Sequence, residues 1–195
     1  MVSSEIKKYL SLNKLSESSG IVIFGGTEDT MIPLGELRQA FSIDSKMYNR
    51  SVSNLSVKNA IELYNECVSS LTPETILLHI GDADLSNFKE NSSEFDNNYR
   101  KLIAHIRTES PACRIAIVSL RNPENDETIL EMNKHLKYIA NSEQCEYVDI
   151  TLKKVWNPKN TMDAVSFGYS MGFLRPFINK RPLYELGKIL FYYQQ

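Results

Sequence analysis

Short apolar runs alternating with amphipathic stretches set the fold class of this 195-residue chain. The runs are IVIF (21–24), a weaker one within SKMYNRSV (45–52), TILLHIG (75–81), CRIAIVSL (113–120) and CEYVDIT (145–151). Consecutive apolar positions rich in Val and Ile mark strands covered on both faces. The stretches 34–41, 55–71, 92–110 and 125–142 read as helices between them. Val57, Ile61, Tyr64 and Val68 recur at helical spacing, and so do Phe95, Tyr99, Leu102, Ile103 and Ile106. Ser92 or Ser93 ahead of acidic residues supplies a start signal for the helix over 92–110. Further helices are predicted over 4–15 and 181–193. Strands that alternate with helices, joined by right-handed crossovers, predict an α/β protein: a parallel sheet in a doubly wound three-layer sandwich. In such a fold the functional site lies beyond the C-terminal ends of the strands, here near 25–29, 50–55, 81–85 and 120–123.

The length suits one domain of ordinary size. We divide the chain into an N-terminal helix and SESSG linker over 1–19 and a single domain over 20–195. Hydrophobic residues make up 42% and charged residues 24%, as in a globular protein. A net charge of −2 gives no electrostatic case for nucleic acid or an anionic membrane. There is no apolar run of the roughly 18 residues that a membrane-spanning helix needs. The N-terminus lacks the apolar stretch and cleavage site of a signal peptide. Cys67, Cys113 and Cys145 are odd in number and widely spaced, which suggests neither a disulfide framework nor a zinc site. A reducing, cytoplasmic setting is the expectation.

Several generic motifs fail. Gly25-Gly26-Thr27 follows a strand but lacks the Lys of a phosphate loop, and no GxGxxG follows, so no nucleotide cofactor is expected. DADLSN (82–87) begins like a calcium loop but has neither the sixth-position glycine nor the closing Glu. His79, His105 and His135 sit in separate elements without ligand spacing, so no metal is expected; His79 reads as a packed strand residue.

Taken in order, the strand ends resemble the sequence blocks of the GDSL, or SGNH, hydrolases. FGGT (24–27) stands where that family has F-G-D-S. YNRSVSNLSVKNAIE (48–62) resembles the block N-x-G-x-x-G, and LLHIGDADL (77–85) the block G-x-N-D. The stretch 95–120 is similar to the helix and strand that follow. The resemblance spans about residues 20 to 193. It implies a flavodoxin-like α/β/α sandwich with a five-stranded parallel sheet, and acyl-ester hydrolysis. In that chemistry a Ser is activated by a His that an Asp orients, and the oxyanion is held by the Ser N–H, a Gly N–H and an Asn side chain.

Residue by residue, the roles are altered. The nucleophile position holds Thr27, and the Asp before it is Gly26. The donor Gly of the second block is Asn54, and that block's earlier Gly is Ser51. The third-block Asn is Ala83, while Gly81 and Asp84 match. The D-x-x-H block falls either on Arg175 and Ile178 or on Asp163 and Ser166; no His follows His135 under either placement. The expectation is an SGNH-like protein without catalysis that binds an ester, a glycan or a protein partner. The alternative is a divergent ester hydrolase in which Thr27 attacks with Asp84, Asp29 or Glu28 as base or orienter. Gly26, Asn54, Gly81, Ala83 and Asp84 are the candidate binding residues, and Thr27 and Asp163 the candidate catalytic ones. Arg175 and Arg181 are candidates for an anionic ligand group. The aromatic stretch 156–180 is either a partner surface or core.

Overall fold

Strands β1 (Ile21–Gly25), β2 (Met47–Asn49), β3 (Thr75–His79), β4 (Arg114–Val118) and β5 (Glu146–Val148) pair in parallel, in the order β2-β1-β3-β4-β5. This is a computed structural model, and it describes residues 4–40, 43–122, 124–150 and 191. The helices are α1 (Ser4–Asn13), α2 (Leu34–Ala40), α3 (Ala60–Cys67), α4 (Leu85–Glu90), α5 (Ser92–Glu109) and α6 (Glu127–Ser142). The expected three-layer α/β sandwich with its five-stranded parallel sheet is therefore present.

Alternation along the strands divides the core in two. Val22, Phe24, Ile76, Leu78, Ile115 and Ile117 face α3, α5 and α6, packing on Tyr64, Leu102, Ile106, Met132 and Leu136. Ile21, Ile23, Leu77, Ala116 and Val118 face the other way, onto Leu37 of α2 and Phe191. Burial on both faces is why these strands read as unbroken apolar runs rather than alternating ones.

Where the boundaries differ from expectation, local hydrogen bonding decides. The weaker strand expected within 45–52 is Met47–Asn49; beyond it Arg50 and Val52 still donate to the Ile23 and Gly25 carbonyls of β1, while the Asn49 side chain takes the Ser51 N–H at 3.0 Å. The helix expected from 55 begins at Ala60. Asn54 takes a left-handed backbone, φ 56°, and Ser56 and Val57 give their N–H groups to Asn59 and Asp84. That helix ends at Cys67, with a 3₁₀ turn over Ser69–Leu71 and a left-handed Thr72 beyond it. Helix α4 was not anticipated: Leu85 and Phe88 are its only apolar residues, too few to make a periodic pattern.

Helix α1 is fastened to the sheet edge through the second-block loop. Tyr9 donates its hydroxyl to the Ser51 carbonyl at 2.6 Å. The Glu5 carboxylate accepts from the Ser53 N–H and hydroxyl at 3.1 and 2.6 Å. The buried Arg50 donates to Asn13 at 2.9 Å and lies against the rings of Tyr9 and Tyr48. Among the described residues no helix is long and apolar enough to cross a membrane. The predicted terminal helix over 181–193, apart from Phe191, and the stretch 156–180 lie outside the described residues.

The core and a helix cap should separate cleanly in denaturant melts. Leu78→Ala, in a fully buried strand position, is expected to cost about 2–5 kcal/mol. Asp126→Ala removes the cap that accepts from Thr128 and Ile129 at the start of α6 and should cost about 1 kcal/mol.

Candidate functional site

The chain winds outward from β1 to β2 in one direction and from β3 to β5 in the other, so the order reverses between β1 and β3. At such a reversal the loops leave a crevice beyond the strand ends. The 3₁₀ turn Glu28–Met31 follows β1 there, and the 3₁₀ turn Asp82–Asp84 follows β3. The second-block loop joins them from beside β2. The three resembling blocks thus meet at one edge, bringing together Gly26, Thr27, Asn54, Gly81, Ala83 and Asp84. Asp163, with Ser166, Arg175, Ile178 and Arg181, lies outside the described residues.

Thr27 is exposed and opens its turn in helical backbone. Its Oγ1 accepts a 3.0 Å hydrogen bond from the Asn54 N–H, and this is the hydroxyl's one hydrogen bond among the described residues. The left-handed backbone of Asn54 is one that Asn tolerates better than most residues. The Asn54 N–H, the donor that the resemblance assigns to the oxyanion, is given to Thr27. Ala83 is exposed and presents a methyl where the family has an amide donor.

The glycines differ in what they require. A Cβ on Gly81 would meet Leu120 at 3.0 Å and Met132 at 3.1 Å, and its φ is 149°, so this position accepts only glycine comfortably. Gly26 is open: a Cβ there would meet only the Asp82 carboxylate, at 3.8 Å. Gly25 is filled from elsewhere, since a Cβ on it would lie 1.9 Å from the Asp29 carboxylate.

Each candidate base is committed to another partner. Glu28 is ion-paired with Arg121 at 3.0 Å. Asp29 turns back over Gly25 and meets His79 Nδ1 at 2.8 Å, with both side chains 1% exposed. Asp84 is buried and accepts the Val57 N–H at 2.9 Å, tying the second block to the third. Burial pushes the Asp84 carboxyl up to about 6, against the pull of that N–H and with help from Asp82.

His79 is packed, as expected, but it is also half of a charged pair, which the sequence reading did not foresee. Burial alone would push its pKa down. The Asp29 carboxylate, as charge and as hydrogen-bond acceptor, outweighs this, and Asp82 adds to it against Arg121. The ring is held above its ordinary value. The signal available in sequence was the β1–β3 register, which sets Gly25 beside His79. Among the described residues no three His, Cys, Asp or Glu side chains are grouped so as to hold a metal ion.

With this geometry in view, solved structures identify the architecture. A Bacteroides fragilis protein assigned as an acylhydrolase superposes with a TM-score of 0.64 at 17% identity, covering 92% of this chain and 99% of its own. The chain has the fold of the SGNH, or GDSL, hydrolases. A GDSL-like lipase from Bacteroides thetaiotaomicron gives 0.57 at 17% identity, over 86% of this chain and 92% of its own. An acetylxylan esterase from Geobacillus stearothermophilus gives 0.55 at 17% identity, over 82% and 94%. No protein-family model matches the chain, and no curated protein matches it either.

The raised Asp84 carboxyl makes a pH prediction. Between its ordinary value of 3.8 and about 6 the folded protein holds a proton that the unfolded chain has lost. Stability on this account falls as pH rises from 4 to 6, by at most ~3 kcal/mol, and stays lower above that. Asp84→Asn, which can still accept from Val57, should flatten the fall in denaturant midpoints across that window. A slope unchanged in the variant would remove Asp84 as its source.

Proposed function

We propose that this chain is an SGNH-fold protein without hydrolytic turnover, which uses the crevice at the β1–β3 edge to bind an ester or a glycan, or a protein that presents one. The observation that carries the reading is the Asn54 N–H donated to Thr27 Oγ1 at 3.0 Å. A nucleophilic hydroxyl must give its proton to a base. Here the oxygen accepts from the Asn54 N–H, and none of Glu28, Asp29 and Asp84 is hydrogen-bonded to it to take its proton. The same N–H is the donor that the resemblance assigns to the oxyanion, and one such donor is worth about 10²–10³ in rate. Loss of a general base removes about 10²–10⁴ more. Ala83 supplies no replacement donor.

The lip of the crevice supports binding. Thr27, Glu28, Asn54 and Asp82 are exposed around it, an array of hydroxyl, amide and carboxylate groups suited to a ligand rich in hydroxyls. Some structural neighbours are named for acetylated xylan, which makes acetylated xylo-oligosaccharides the first ligands to try. Cys67, Cys113 and Cys145 are all free thiols, in keeping with work in a reducing compartment such as the cytoplasm.

Purified protein and Thr27→Ala, assayed side by side on p-nitrophenyl acetate, should show equal rates no higher than buffer. Turnover that disappears in Thr27→Ala would overturn the reading and return Thr27 to the role of nucleophile. Calorimetric titration with acetylated xylo-oligosaccharides should give binding that Asn54→Asp weakens.

A further inference from the structure

The buried ion pair beneath the crevice is not used by the binding reading, and its construction calls for an explanation. Asp29 lies two residues beyond Thr27 in the same 3₁₀ turn. Its carboxylate fills the space left by Gly25 and reaches His79 Nδ1 at 2.8 Å. Its carbonyl accepts from the Asn49 side chain at 2.6 Å and from the Ile32 N–H at 3.1 Å, so the whole turn hangs on this residue. The Phe191 ring lies edge-on to the His79 ring, centroids 4.8 Å apart at 65°, and closes the pair from the far side. The charged groups around it are Asp29 and Glu28 from the β1 turn, Asp82 from the β3 turn and Arg121 from the segment after β4; Phe191 adds no charge.

Two atoms of the pair, His79 Nε2 and Asp29 Oδ1, are buried with no hydrogen-bond partner among the described residues. The charge across the 2.8 Å contact is therefore the side chains' own hold on each other, beside the Asn49 and Ile32 hydrogen bonds to the Asp29 carbonyl.

We propose that Asp29 and His79 form a proton-operated latch on the Thr27 turn, closed while the imidazole is protonated and released when it becomes neutral. The inference rests on the Thr27 turn being the wall of the ligand crevice. Once the ring is neutral, a carboxylate remains buried against a single neutral donor, and hydration of Asp29 requires the turn to lift. The sign follows from the raised His79 value. The pair's contribution is fully present below the unfolded imidazole's 6.5 and is lost as pH rises through the higher folded value.

The test is a pH titration of the full chain by NMR. It follows the ¹⁵N-labelled imidazoles together with amide hydrogen exchange over residues 26–32. The expected result is a His79 midpoint above 6.5. Exchange in the turn should quicken at least tenfold beyond its intrinsic pH dependence on crossing that midpoint. In Asp29→Asn the midpoint should move below the ordinary imidazole value. His79→Gln should show no pH-linked step in the turn. A wild-type His79 that titrates at or below the ordinary value, or turn exchange that follows intrinsic chemistry alone, overturns the latch whether or not either variant folds. No ligand is involved, so failure of the latch leaves the binding reading standing. Esterase turnover through Thr27 would overturn that reading without touching the latch.

Discussion

The pairing of β1 with β3 governs everything at the upper edge of this molecule. Its register sets Gly25 beside His79, and the strand order reverses at the same place, where open α/β sheets bind their ligands. Gly25 has no side chain, so the Asp29 carboxylate can fold back onto the strand end and meet the imidazole. That contact anchors the turn on which Thr27 stands. From the other side Asn54 holds the Thr27 hydroxyl by its N–H, and Asn54 is steadied in turn by α1 through Glu5 and Ser53. The crevice wall is thus pinned from below by charge and from the side by neutral hydrogen bonds.

The substitutions relative to the SGNH pattern have different physical consequences. Ser51, where the pattern has Gly, has become structural, since its buried hydroxyl accepts the Gly25 N–H at 3.1 Å. Asn54 keeps the left-handed backbone its position requires and redirects the N–H. Gly26 has room for a Cβ, which would lie 3.8 Å from the Asp82 carboxylate. Ala83 simply lacks a donor. Gly81 differs from these positions: its φ is 149°, and a Cβ on it would press on Leu120 and Met132 at 3.0 and 3.1 Å.

Much of this was legible in the sequence, and the exceptions have identifiable causes. The apolar runs of β1, β3 and β4 marked those strands because both faces of the sheet are covered there. The block order gave the fold and brought Thr27, Asn54, Ala83 and Asp84 to one edge. The short helix after the third block escaped because two apolar residues make no periodicity. The early start expected for α3 failed because Asn54, Asn59 and Asp84 intercept backbone N–H groups that a helix would have used. The Asp29–His79 pair escaped because it depends on strand register and on an empty glycine position, and neither shows in composition or spacing. His79 alone looked like core, and Asp29 alone like a candidate base or orienter for Thr27.

The account stands on the Thr27 hydroxyl accepting from the Asn54 N–H with no base hydrogen-bonded to it among the described residues. The most direct measurement is intact mass of the folded protein after exposure to a fluorophosphonate, which phosphonylates activated hydroxyls and spares ordinary ones. No mass addition, in wild type and in Thr27→Ser alike, is the predicted result. A single stoichiometric adduct that maps to residue 27 would contradict it and show that a base acts on this hydroxyl after all.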